Sequence, residues 1–254
     1  MAWLTSLWEA VWHWLSTAIF APIWQEIYKT VIEAGRWRFY VQGIGNTLLM
    51  AAVACLIGVA IGLLIAVVKV VHASSGEKPK GWLRILNWFA NFYTTIIRGT
   101  PMVLQLLIIF FIVFAAAPFH MAIYVAALAF GLNSGAYVSE IIRAGILSID
   151  RGQVEAGRSL GLSSAQTMRL IVLPQAVKNI LPALFNEFIS LLKETSVAGW
   201  ISVVDVTKAG DLIRTRVPNF SPLLVSAAIY LAMVLGLTRL LKGIERRLSQ
   251  SDRR

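Results

Sequence analysis

The chain has 254 residues, 57% of them hydrophobic and only 14% charged, with a mean hydropathy of +0.71. That balance excludes an ordinary soluble domain, and several apolar runs approach or exceed the roughly 18–20 residues that cross a bilayer. The runs are continuous rather than alternating, which argues against a β-barrel. The net charge of +10 follows the loops of a membrane protein, so no nucleic-acid partner is implied.

Residues 1–38 carry six of the nine tryptophans, among them Trp3, Trp8, Trp12, Trp14 and Trp24. Glu9, His13, Gln25 and Glu26 dilute the apolar stretch, and Trp favours the headgroup region. The segment reads as an interfacial amphipathic helix, with an extra spanning helix as the alternative. The Met1 end has no basic region followed by a small-residue cleavage site, so no removable signal peptide is expected. Cys55, the single cysteine, implies neither a disulfide nor a metal site.

The first span is predicted over 43–68, where Gly58 and Gly62 form a GxxxG pair suited to close helix contact. A basic, turn-rich stretch leads to a second span over about 91–117, broken or kinked at Pro101. A third span is expected over about 121–142, a fourth over 179–199 and a fifth over 222–241. Between the third and fourth lies a polar stretch, 147–178, and a polar loop covers 205–219. Residues 246–254 form a solvated tail.

The charges orient these spans. With the loop after span one inside, residues 69–84, 143–178 and 239–254 together hold fifteen Lys and Arg on that side. The opposite side holds three, Lys208, Arg214 and Arg216. This asymmetry places the C-terminus and residues 147–178 in the cytoplasm. In that loop Asp150 is a candidate helix cap, Gln153 and Glu155 sit early in a helix, and Gly161 fits its end. A second helix is expected to start at Ser163 or Ser164, so the loop reads as two short helices around a glycine joint.

The same loop carries a family resemblance. Glu155-Ala156-Gly157, three residues, Gly161, nine residues and then Ile171-Val-Leu173-Pro174 resemble the EAA loop of ATP-binding-cassette importer permeases; Gly157 stands for the second alanine. RGTPMVLQ (98–105), NSGAYVSEIIRAGI (133–146), GQVEAGRSLG (152–161), LPQA (173–176) and LLKETSV (191–197) are similar to the polar amino-acid uptake subfamily. The match covers about residues 40–245. The resemblance implies an all-α polytopic membrane protein with a five-helix type I importer core of the MetI-like kind, in the bacterial cytoplasmic membrane. It implies a second permease copy or paralogue, two ATPase subunits and an extracytoplasmic solute-binding protein as partners, besides membrane lipid. No GxxxxGK[ST] phosphate loop is present, so ATP and Mg are expected on the partner ATPase rather than here. Gln153, Glu155, Ala156, Gly157, Gly161, Leu173 and Pro174 are then the ATPase-coupling residues. Small residues permit close approach to a groove, Glu155 offers charge-assisted hydrogen bonds, and Leu173-Pro174 is expected to redirect the chain into span four.

Polar groups at membrane depth are costly and mark a cavity or a partner. Asn133, Tyr137 and Glu140 share one helix face and are candidates to line a path for a zwitterionic solute; internal pairing, as of Glu140 with Arg143, is the alternative. Asn186, Ser190 and Lys193 share a face of span four, with Glu187 and Glu194 beside it. Lys193 and Glu194 suit the carboxylate and ammonium of an amino acid, or neutralise each other. Arg98 and Thr100 line the path or cap the broken helix, and Gln105 is a further lining candidate. An intramembrane enzyme needs a nucleophile–base pair or a metal, and His13, His72 and His120 lie outside any such arrangement. A passive channel would not require the loop.

Overall fold

A single helix, α3 (Trp37–Ser74), covers the first apolar run and extends past both of its predicted ends. Tertiary contacts explain the extension. At one end Tyr40 is buried and its hydroxyl donates to the Pro222 carbonyl at 2.8 Å; at the other Lys69 is buried in an ion pair. The computed structural model describes residues 2–17, 21–75, 79–217 and 219–251, so the last three residues of the expected tail lie outside the described residues. Ahead of α3 lie α1 (Ala2–Leu15) and α2 (Ala21–Ile27), the latter running through a π turn, Tyr28–Ile32, and a 3-10 turn, Glu33–Gly35.

The second span differs from expectation. It is two helices, α4 (Gly81–Gly99) and α5 (Met102–Ile108), with a π turn continuing α5 to Val113. They are bent by 108° at the break, so 91–117 is not one helix and the first half starts at residue 81. The cause is local. Proline pushes the residue before it out of the helical region, and Thr100 and Pro101 are both extended, with ψ of 146° and 135°. Two consecutive extended residues turn a chain far more than a kink does.

A 3-10 turn, Phe119–Met121, opens α6 (Ala122–Leu147), and α7 (Arg151–Ser159) follows. The fourth span is again longer than predicted, because the chain is continuously helical over Ser164–Ile201. It comprises α8 (Ser164–Thr167), a π turn (Met168–Val172), α9 (Leu173–Glu194) and a 3-10 turn (Thr195–Ile201). Two expectations are corrected here: Leu173-Pro174 does not redirect the chain, and the second loop helix is the foot of span four. Proline inside a helix collides with the carbonyl four residues earlier. The π turn directly before it widens the helix at that point, which is how α9 accommodates Pro174 in its first turn. After α10 (Val206–Arg214) the chain closes with α11 (Ser221–Ser251). Among the described residues, four helices are long and apolar enough to cross a membrane, and five if the bent pair counts as one.

Helix α6 is the axis of the bundle, with 67% of its most apolar window buried. Its partner is α3, and the two approach through reciprocal small residues. A Cβ on Gly131 or Gly135 would lie 2.7 or 2.9 Å from Ile57 or Ile61, and one on Gly58 or Gly62 would lie 2.9 or 2.5 Å from Ser134 or Val138. The predicted Gly58/Gly62 pair and the pair Gly131/Gly135 therefore face each other's helix. In a membrane such close packing replaces the hydrophobic drive that lipid cannot supply. One core cluster gathers Met50, Leu106, Phe130 and Leu191; a second joins Ala66, Val138, Ile142 and Ile180. The third lies at the Pro222 end, where Tyr40, Ala209, Ile213 and Val217 pack with Val31.

Candidate functional site

Helix α7 forms by local chemistry that the sequence displays. The Asp150 carboxylate accepts from the Gly152 amide at 2.8 Å and caps the first turn. The helix ends in a Schellman pair: Gly161 N–H reaches Arg158 O at 3.0 Å and Leu162 N–H reaches Gly157 O at 3.2 Å. Gly161 holds φ of +84°, which a glycine adopts without strain. Ser163 then caps the next helix in a full capping box with Gln166. Gln153, Glu155 and Ala156 are exposed on α7, while Gly157 is buried. A Cβ on Gly157 would lie 2.7 Å from Ile171 and 3.1 Å from Thr167. The small residue thus serves close approach to the chain's own span four, and the exposed face is left to Gln153, Glu155 and Ala156. Asn179 donates to the Ser148 hydroxyl at 2.9 Å and ties the loop's entry to α9. Leu173 and Pro174 are exposed on the same stalk.

The polar residues of the spans fall into linked sets. At the bend, Gln105 Nε2 donates to Ile97 O at 2.8 Å, to Thr100 O at 3.1 Å and to Thr100 Oγ1 at 2.7 Å. Its Oε1 accepts from Asn133 Nδ2 at 3.0 Å, so Thr100, Gln105 and Asn133 hold the break against α6. Arg98 lies over the Tyr137 ring at 5.5 Å, and both side chains are exposed. Glu140 accepts from Lys69 at 2.7 Å and from Arg143 Nη2 at 2.8 Å, and Lys69 also donates to Thr94 at 3.0 Å. Asn133, Tyr137 and Glu140 therefore share a helix face but go to three different partners. In span four, Glu187 accepts from Ser134 at 2.8 Å. Asn186, Lys193 and Glu194 are exposed and Ser190 is half-buried. Lys193 and Glu194 form no ion pair with each other within 4.0 Å.

A cavity of about 490 Å³ opens at the Pro222 end, walled by Ser196, Trp200, Ser202, Thr207, Lys208 and Asp211. A second of about 350 Å³ shares Ser196, Thr207 and Leu223 with it and adds Lys193, Ser226 and Tyr230. The two share a wall and together form a track that leads to Lys193, edged by polar side chains over mostly apolar surface. Lys208 and Arg214 both bond Asp211, at 3.1 and 2.9 Å, and Arg214 first, then Lys208, holds its carboxyl below the usual range. Asp205 caps α10, accepting from the Thr207 and Lys208 amides and from the Tyr230 hydroxyl; burial raises its carboxyl above the usual value. Among the described residues, no group of three His, Cys, Asp or Glu converges as a metal site would. Sequence reading missed Lys69, Thr94, Ser196, Thr207, Lys208, Asp211 and Tyr230 as members of these sets. The one available signal was Lys69 itself, a cation flanked by valines.

Comparison with known proteins agrees with this architecture. Residues 80–250 match the family of binding-protein-dependent transport system inner membrane components. A putative glutamine transport system permease, GlnP of Rickettsia conorii, is 39% identical over 216 residues, covering 83% of this chain and 93% of that protein. The arginine transport system permease ArtQ of Bacillus subtilis is 38% identical over 216 residues, 84% and 94% of the two chains. A crystal structure of an amino acid ABC transporter with histidines aligns with a TM-score of 0.74 at 40% identity, over 83% and 94% of the chains. The methionine transporter MetNI, at 18% identity and a TM-score of 0.70, shares the fold. With its helical bundle, its capped loop and these relatives, the chain belongs to the binding-protein-dependent inner membrane components, as a permease subunit of the amino-acid ABC transporter group.

Proposed function

We propose that this permease moves a polar amino acid across the cytoplasmic membrane by alternating access, driven by ATP hydrolysis on two separate ATPase subunits. The ATPases dock on 147–178, the C-terminus is cytoplasmic, and an extracytoplasmic binding protein delivers the substrate at the Pro222 end. A second permease, a copy or a paralogue, completes the path. The observation that supports this reading is the seating of α7: an exposed face of Gln153, Glu155 and Ala156 sits on a buried Gly157 that lies against Ile171 of span four. A push on that face reaches a membrane helix with little slack. Leu173 and Pro174 lie along the same stalk.

For the path, the exposed Asn186, Lys193 and Glu194, the half-buried Ser190 and the polar track beside them supply a cation, a carboxylate and amide or hydroxyl groups. That set matches a zwitterion. Arg98 on Tyr137 adds a second cation, and Glu187 a second carboxylate. Relatives named for glutamine and for arginine fit the same substrate class.

The test uses the permease reconstituted in vesicles with its ATPases and binding protein. Glu155→Lys combined with Gly161→Leu is expected to abolish binding-protein-stimulated ATP hydrolysis and uptake together. Survival of both would overturn the coupling role of the loop.

A further inference from the structure

We infer that α1 is an interfacial anchor lying in the outer headgroup layer of the bilayer, and that the segment behind it braces the start of the last span. The placement on the outer side rests on the orientation proposed above; the anchor itself does not depend on which solute is carried.

The first observation is the helix itself. Trp8 and Trp12 stack at 6.5 Å with planes 17° apart, so they share one face, and both are more than half exposed. Val11 and Trp14 are exposed near them. Glu9 and His13, each one position on from a stacked Trp, fall on the other side at the 3.6-residue period. An amphipathic helix with an aromatic face and a short polar face suits the boundary between headgroups and acyl chains. At 14 residues α1 itself reaches about 21 Å.

The second observation fixes the depth of the segment that follows α1. Residues 21–36 are pinned to the beginning of α11. Thr30, fully buried, bonds the Ser221 hydroxyl at 2.7 Å, and Asn219 donates to Glu26. Val31 packs into the cluster of Tyr40, Ala209 and Ile213. Asn219 and Ser221 mark where the last span enters the membrane, so the end of α2 sits at that boundary. The occupant of the tryptophan face is therefore phospholipid at the interface. The brace also ends beside Leu223 and Ser226, which wall the polar track.

The test is site-directed spin labelling of the full permease in complex with its ATPases, in vesicles of phosphatidylethanolamine and phosphatidylglycerol. Nitroxides are placed through Trp8→Cys, Glu9→Cys, Trp12→Cys and His13→Cys in a Cys55→Ala background, with Val11→Cys and Trp14→Cys as alternates if a variant loses uptake. Power saturation then compares collisions with oxygen and with a water-soluble nickel chelate. Expected is a reversal along the helix: oxygen favoured at 8 and 12, nickel at 9 and 13. Nickel access at every site would place the helix in water, exclusion of both reagents would mean a protein partner, and oxygen preference throughout would mean a spanning helix. Any of these three overturns the proposal.

Discussion

Lys69 shows how much a single side chain can depend on residues far along the chain. It is 8% exposed, and its ammonium meets Glu140, 71 positions later. Nothing local in the sequence announces that pairing, whereas the pairing of Glu140 with Arg143, three positions apart on one helix, was legible. Removing one member of a buried ion pair costs about 3–5 kcal/mol because the other is left uncompensated. Here Arg143 remains on Glu140, and Glu140 is partly exposed, so Lys69→Met is expected to destabilise by about 2 kcal/mol. Thermal unfolding of the purified complex checks this: the midpoint falls in Lys69→Met and is largely restored in Lys69→Arg, which keeps the charge. The caps at Asp150, Gly161 and Ser163 illustrate the opposite case. Each works through neighbours within about a turn, so their residue types alone foretold the helix ends.

At the scale of elements, the order of the four long spans was legible because hydropathy records membrane depth directly. Their ends were not. Helix α3 runs past its apolar stretch, and span four begins at Ser164, because capping and tertiary contacts rather than hydropathy decide where a helix stops. Pro101 and Pro174 carry the same lesson from opposite sides. One follows an extended threonine and turns the chain by 108°; the other follows a π turn and leaves the helix running. The residue does not determine the outcome; the backbone before it does. The glycine contact between α3 and α6 yields a direct prediction. Gly62→Leu places its Cβ 2.5 Å from Val138, and overpacking of this kind costs about 1–3 kcal/mol or more. Gly45, where an added methyl would meet nothing within 4 Å, is the control: Gly45→Ala is expected to be neutral or stabilising by up to about 1 kcal/mol. Yield and thermal midpoint of the two variants in one detergent distinguish them.

For the whole molecule, the candidate site divides by legibility as well. The loop face was readable from motif spacing. The polar track at the Pro222 end was not, because Lys193, Thr207 and Tyr230 come from three separate elements. Lys193 gives the sharpest consequence for transport. Among the polar groups of the track it is an exposed cation that forms no ion pair within 4.0 Å among the described residues. A charge-assisted hydrogen bond contributes about 1.5–3 kcal/mol, so Lys193→Met is expected to raise the KM for amino-acid uptake by about tenfold or more. The ATPase rate without binding protein should stay at the wild-type level, and initial-rate uptake in vesicles measures the first effect.

The interlock of Gly58, Gly62, Gly131 and Gly135 has a mechanical meaning. Ile57 and Ile61 seat over two of these glycines while Ser134 and Val138 seat over the others, so the helices are keyed like a shaft in its hub. Sliding α6 along α3 by one residue, about 1.5 Å, would drive a branched side chain into backbone. The pair can tilt or travel as a unit, but it cannot slip. Any stroke delivered at the foot of α6 is therefore carried by both helices together, and the give in the molecule must lie at other joints.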